Sequence, residues 1–359
     1  MSEKRVSPPT SNTGAENTSG SGLRACLDWL SVTFKNVQAV HQIYDLIGID
    51  EEHFHDSKTG GKGYLKKKIF AGISIYYEGR EDMGIHLDIS GQGCRHFEKY
   101  SRYDWLHFFS LILNTDINIT RLDLAIDDFK GYFTMKHISE KIRRKCVRSR
   151  FKDAIQIKKT RLSDGSSRGH TIYFGSVQSM VQVRFYDKLL ERLEAGKSIE
   201  DDIKFWLRTE IQLRDERAMA AMLLFVNMSA ETGKLAAGIL KNYLNFLIDN
   251  KNEKNKSRWK VCKWWEEFLG NVEKLPLTII APDVTIERSY KWLDHQVEKT
   301  LAMMYEAFNQ DMTIFYDLIN KGIGKLERKD EDIINRFKNE NKNITYDVFL
   351  KKMKKDLNL

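Results

Sequence analysis

The chain has 359 residues, of which 42% are hydrophobic and 30% charged, and carries a formal net charge of +8. This is enough chain for one large core or two domains, and the basic excess suits a polyanionic partner. The longest apolar run, residues 218–226, is far shorter than the roughly 20 residues that span a bilayer, the N-terminus has no apolar signal core, and Cys26, Cys94, Cys146 and Cys262 are too scattered for a zinc ribbon or disulfide framework; a reduced, cytoplasmic protein without a membrane span is expected.

Residues 2–22 are rich in Ser, Gly, Thr, Asn and Pro with almost nothing to bury, which predicts a disordered tail over residues 1–22. Proline is then absent between Pro9 and Pro276, so a long folded unit follows. Period-2 alternation predicts strands over 27–34, 69–77, 84–90, 117–127, 154–159, 170–174, 181–186 and 205–214. Helices are expected over 37–46, 103–113, 135–145 and 187–195. The expected fold is α+β, a mostly antiparallel sheet with helices on one face, followed by a helical C-terminal region. A helical stripe from Leu235 to Leu247, a polar break over 249–260 and further breaks at Pro276 and Pro282 place the domain boundary near residue 255. This gives a catalytic domain over 23–255 and a helical domain over 256–359, expected to serve DNA recognition or partner binding.

Three strands share one pattern. Successive strand side chains point to opposite faces, so Leu122, Leu124 and Ile126 lie on one face and Arg121, Asp123, Ala125 and Asp127 on the other. In the same way Arg184 and Tyr186 oppose Val183 and Phe185, and Arg208, Glu210, Gln212 and Arg214 oppose Leu207, Thr209, Ile211 and Leu213. His86, Asp88 and Ser90 belong to a fourth candidate strand. A solvated face with cross-strand ion pairs is the plain explanation. The other is phosphoryl transfer: carboxylates hold Mg²⁺ or Mn²⁺, arginines clamp phosphate oxygens, and a tyrosine attacks phosphorus.

The segments Arg121–Asp128, Tyr173–Ser176 with Val183–Lys188, Leu207–Leu213 and Asp88–Arg95 resemble, in order, the motifs of the Rep_trans family, the replication initiators of rolling-circle plasmids and the related MobT-type relaxases. The resemblance spans about residues 26–270. It implies an origin-specific nicking-closing endonuclease whose nucleophile falls on Tyr186, with a 5′-phosphotyrosine intermediate. Asp123 and Glu210 fall on the acidic positions that serve the metal or activate the tyrosine, with Asp127 as a further candidate ligand. Arg121, Arg184 and Lys188 are the candidate phosphate contacts. Tyr173, on the preceding strand, is the rival nucleophile. The resemblance also implies a DNA substrate, a homodimer and a helicase partner; a conjugative relaxase and a non-catalytic DNA-binding protein are the alternatives.

Other signals carry less. His53-Phe54-His55 reads as a loop rather than a metal-binding strand. Thr232-Gly233-Lys234 lacks the glycine and hydroxyl of a nucleotide-binding loop. The basic run from Lys141 to Lys152 is a solvated face or a DNA-backbone contact, and Trp264 and Trp265 are expected in a core.

Overall fold

The computed structural model describes residues 22–37, 39–196, 203–229, 231–270, 275, 277, 286, 289–290, 293–326, 328–341 and 344–356. The tail expected over 1–22 lies, up to residue 21, outside them, as do Pro276 and Pro282. Two compact units divide between Ile279 and Ile280, later than the boundary expected near 255. The shift has a packing cause: Trp265 and Phe268, beyond the polar break, are buried in the first unit's core against Phe133 and Phe246.

The first unit is built on β1 (Leu23–Phe34), α1 (Val40–Ile47), β2 (His55–Asp56), β3 (Lys66–Phe70), β4 (Ile73–Tyr77), β5 (Ile85–Ile89), α2 (Gly91–Tyr100), α3 (Trp105–Ile112), β6 (Ile117–Asp128), α4 (Met135–Arg143), β7 (Val147–Ser149), β8 (Ala154–Thr160), β9 (Ser167–Phe174), β10 (Val181–Asp187), α5 (Lys188–Glu194), β11 (Leu207–Arg214), α6 (Asp215–Asn227), α7 (Thr232–Tyr243), β12 (Leu244–Phe246) and α8 (Lys263–Leu269). Ten strands form one sheet in the order β2-β3-β4-β5-β1-β6-β11-β10-β9-β8, every neighbouring pair antiparallel. The two long strands β1 and β6 lie at its centre. The aliphatic sides of β1, β6, β10 and β11 merge with Ile43, Phe108, Phe109, Phe225, Leu235 and Ile239 into one core. Helices α1, α3, α6 and α7 thus cover one face of the sheet, in the expected α+β arrangement.

Local departures from the sequence reading have physical causes. Residues 69–77 are two strands, because Ala71 and Gly72 take φ of 44° and 89° and form the two-residue loop of a tight hairpin with Phe70 opposite Ile73. Helix α2 lies outside the expected helices, and its first turn holds Gly91 and Gly93, residues that weaken a helical pattern. A Cβ on Gly93 would stand 2.3 Å from the Gly72 carbonyl oxygen, so the glycine permits a close backbone approach. The stripe ending at Leu247 is helical only to Tyr243, after which β12 pairs with β7. In the second unit, α9 (Glu298–Ala307), α10 (Thr313–Ile323), α11 (Arg328–Glu340) and α12 (Tyr346–Asp356) give the expected helical region. Among the described residues no helix is long and apolar enough to cross a membrane.

Candidate active site

The face of the sheet opposite the helical layer holds the polar residues. Antiparallel register sets Arg184 opposite Glu210 and Tyr186 opposite Arg208, and sets Asp123 opposite Gln212 on one side and Trp29 on the other. A cleft of about 500 Å³ opens there, lined by Arg121, Asp123, Arg184, Tyr186, Lys188 and Glu210 together with Asp28, Trp29, Thr171 and Tyr173. Six of the seven candidate residues read from the sequence therefore meet in one cleft.

Tyr186 donates its phenolic hydrogen to Glu210 Oε1, and Arg184 holds the other oxygen, Oε2. The Lys188 ammonium lies 3.4 Å from the phenolic oxygen. Both residues are held by the junction they flank: Asp187 caps α5 by accepting the Leu190 N–H at 2.8 Å, which fixes the last residue of β10 and the first of the helix. Burial, and then the Glu210 charge, push the Tyr186 hydroxyl well above its ordinary value, so the phenol stays protonated in the DNA-free protein. Tyr173, opposite Arg184 on β9, lines the same cleft.

Asp123 is almost fully buried and receives two bonds from Arg121, at 2.9 and 2.5 Å. Arg121 in turn lies over the Trp29 ring, 4.2 Å from its centroid. Burial pushes the Asp123 carboxyl up, Arg121 pulls it down, and Glu210 adds a further upward push, leaving it at about 6.

Asp127 does not join this group, which corrects its place among the metal ligands. Arg208 grips both its oxygens, at 2.6 and 2.8 Å; Arg24 reaches Oδ2 at 2.9 Å and the Trp206 indole reaches Oδ1 at 2.7 Å. Burial raises its carboxyl, but Arg208 and then Arg24 outweigh that and hold it well below the usual range. It is a structural ion pair inside the sheet. The turn that follows β6 is made by its neighbour: Asp128 accepts the N–H groups of Lys130, Gly131 and Tyr132 at 2.8–2.9 Å.

Five residues that line the cleft have no place among the site residues read from the sequence: Asp28, Trp29, Gly91, Thr171 and Glu191. A bulge between Leu27 and Trp29 turns Asp28 and Trp29 toward the same face, and Arg208 bonds Asp28 at 2.9 Å. The neighbouring Asp88 holds the Trp29 indole at 2.8 Å and Lys62 at 2.7 Å.

Among the described residues no group of three or more His, Cys, Asp or Glu side chains is placed to hold a metal ion. Four carboxylates line the cleft, Asp28, Asp123, Glu191 and Glu210, of which Asp123 and Glu210 are the two expected from the sequence. That pair fits a hard ion that completes its shell with water and phosphate oxygens, as Mg²⁺ does. His53-Phe54-His55 supplies nothing here: His53 ends a short 3₁₀ turn and packs on Phe70 and Tyr100, and His55 begins β2. In the basic run, Lys141, Arg144, Arg148 and Arg150 bind Leu247, Asp249, Ser257 and Asn242 of the same unit, so these four are spent on the fold.

Comparison with known proteins identifies relatives over most of the chain. Residues 117–319 match the family described as Replication initiation factor (Rep_trans), and residues 24–114 match the Rolling Circle replication initiation protein N-terminal domain. The chain is 30% identical over 292 residues to NicK of Bacillus subtilis (strain 168), named as a DNA relaxase, covering 80% of this chain and 82% of that protein. It superposes with a TM-score of 0.65 on a rolling-circle replication initiator protein from Geobacillus stearothermophilus, at 38% identity, over 72% of this chain and 99% of that one.

Proposed function

Because the chain belongs to the Rep_trans family of rolling-circle replication initiators, we propose that it nicks and rejoins DNA at an origin with Tyr186 as nucleophile. The hydrogen bond from Tyr186 to Glu210 carries this reading, because it gives the attacking oxygen a proton acceptor at hand. As the phenolic oxygen bonds to phosphorus, its proton passes to Glu210. The bond from phosphorus to the 3′-oxygen breaks; that oxygen leaves and is protonated, while the 5′-phosphate stays on the tyrosine. Attack by a 3′-hydroxyl reverses the step and closes the strand. Lys188 stands where it stabilises charge on the phenolic oxygen, and Arg184 and Arg121 keep partly exposed guanidinium groups at the cleft for phosphate oxygens.

Asp123 and Glu210 would hold Mg²⁺ or Mn²⁺, which when bound supplies charge neutralisation at the scissile phosphate. Four buried, free cysteines suit a reducing cytoplasm. The homodimer, the helicase partner and a recognition role for the second unit belong to the same proposal. The likeness to NicK favours a second reading, a conjugative relaxase, in which the same residues do the same chemistry. The test is nicking of a supercoiled plasmid carrying the cognate origin, with Mg²⁺ or Mn²⁺, beside Tyr186→Phe and Tyr173→Phe. Loss of nicking and of the protein-linked 5′ end in Tyr186→Phe alone, with DNA binding kept, supports the assignment. Loss in Tyr173→Phe alone moves the nucleophile to β9, and binding without nicking by the wild type leaves a DNA-binding protein.

A further inference from the structure

Strands β8 and β9 run out past the cleft as a hairpin. Its turn is closed by Arg161 N–H to the Ser166 carbonyl and Gly165 N–H to the Arg161 carbonyl, both at 2.9 Å. Among the described residues, a Cβ built on Gly165 or Gly169 meets no heavy atom within 4 Å. Leu162, at the tip, is 99% exposed.

The shank joins this tip to the candidate nucleophile. Tyr186 faces Thr171, and Thr171 faces Ile157, so the three side chains stand in one row on the cleft side of the sheet. Ile155 and Ile157 on that side are 52% and 47% exposed, and Lys159 follows them toward the tip. Four cations, Lys158, Lys159, Arg161 and Arg168, flank the turn. Of the acids nearby, Asp164 pairs with Arg161 and Glu194 with Arg168. Lys158 and Lys159 have no carboxylate within ion-pairing distance among the described residues. Unpaired lysines beside a bare aliphatic tip suit a ligand with phosphates outside and stacked apolar faces inside. Duplex DNA has both.

We propose that the β8–β9 hairpin is a wedge for duplex DNA. Its lysines take backbone phosphates, and Leu162 enters between base steps, so that an unpaired strand reaches Tyr186 along the row through Thr171. This rests on the reading of the cleft as a DNA-nicking site. It adds how a paired substrate is opened there.

The experiment uses the full-length protein and a forked DNA, a duplex opening into two single-stranded arms, with 2-aminopurine in the base pair nearest the fork. The wild type should raise the fluorescence of that base as it unstacks. Leu162→Ser, a change at a fully exposed side chain with no packing to lose, should abolish most of that rise. Lys158→Ala with Lys159→Ala should weaken binding and flatten the slope of log affinity against log salt by about 2. An unchanged fluorescence rise in Leu162→Ser overturns the wedge. Unchanged fork binding by the lysine variant also overturns it and assigns the hairpin to a protein partner. The readout needs no strand cleavage, so it stands if nicking fails, and its own failure leaves the comparison of Tyr186→Phe with wild type intact.

Discussion

Tyr186 and Glu210 bond diagonally across β10 and β11: the register partner of the tyrosine is Arg208, and that of the glutamate is Arg184. One carboxylate therefore holds the tyrosine with one oxygen and an arginine with the other. Glu210→Gln keeps the shape but loses the proton acceptor. It should slow nicking about 10²–10⁴-fold while DNA binding persists, as read by single-turnover cleavage beside an electrophoretic shift. Equal rates in variant and wild type would remove Glu210 from the proton path.

Asp123 makes stability depend on pH. Its folded value, about 6, lies above the ordinary 3.8, so its contribution is full below about pH 4 and is lost as pH rises through about 6. At about 1.4 kcal/mol per pH unit the loss approaches about 3 kcal/mol. Without divalent metal, the unfolding free energy of Asp123→Asn relative to wild type should therefore improve from pH 4 to pH 7, by about 3 kcal/mol at most. Added Mg²⁺ should shrink that advantage if the carboxylate binds it. A difference flat in pH would contradict the burial of a strained charge.

Asp127 has the opposite sign. Its folded value is depressed, so it stabilises above the usual carboxylate range and the benefit fades as pH falls through the folded value. Asp127→Asn leaves Arg208 and Arg24 without their shared counter-charge and should cost about 3–5 kcal/mol near pH 7, with the gap narrowing in acid. Urea unfolding at several pH values measures this. The Mg²⁺ concentration that half-saturates nicking should stay where it is, since Asp127 does not line the cleft.

Gly93→Ala tests the corner between β5 and α2. The added methyl meets the Gly72 carbonyl, and both sides are backbone. A loss of about 1–3 kcal/mol is expected from such overpacking, read as a lower urea midpoint with an unchanged slope.

The polar face was legible in the sequence because β6, β10 and β11 keep an unbroken period of two, so Arg121, Asp123, Arg184, Tyr186 and Glu210 sort to one side before any pairing is known. Lys188 came only with the family resemblance, as the last residue of the Val183–Lys188 segment. Asp127 sorted to the same side and was misassigned, because alternation reports a face and not a partner; Arg208 reaches it only once β11 lies against β6. Asp28 and Trp29 were hidden by a bulge, which shifts the alternation by one residue without changing composition. The loop at Ala71 and Gly72 was hidden in an apolar stretch, and α2 behind glycines, of which Gly93 has its reason, the Gly72 backbone, on another hairpin.

The sheet order fixes when this site comes into being during synthesis. Arg208 and Asp28, joined across the centre of the sheet, stand 180 positions apart in the chain. Strand β11, which carries Glu210, is the last strand of the large sheet to be synthesised, yet it lies between β6 and β10. Until it inserts, β10 with Tyr186 has no neighbour on that side, and β6 with Asp123 is an open edge. A nascent or truncated chain that stops short of Arg214 therefore carries the tyrosine but no assembled cleft. Competence to cut arrives in a single late event rather than growing with length.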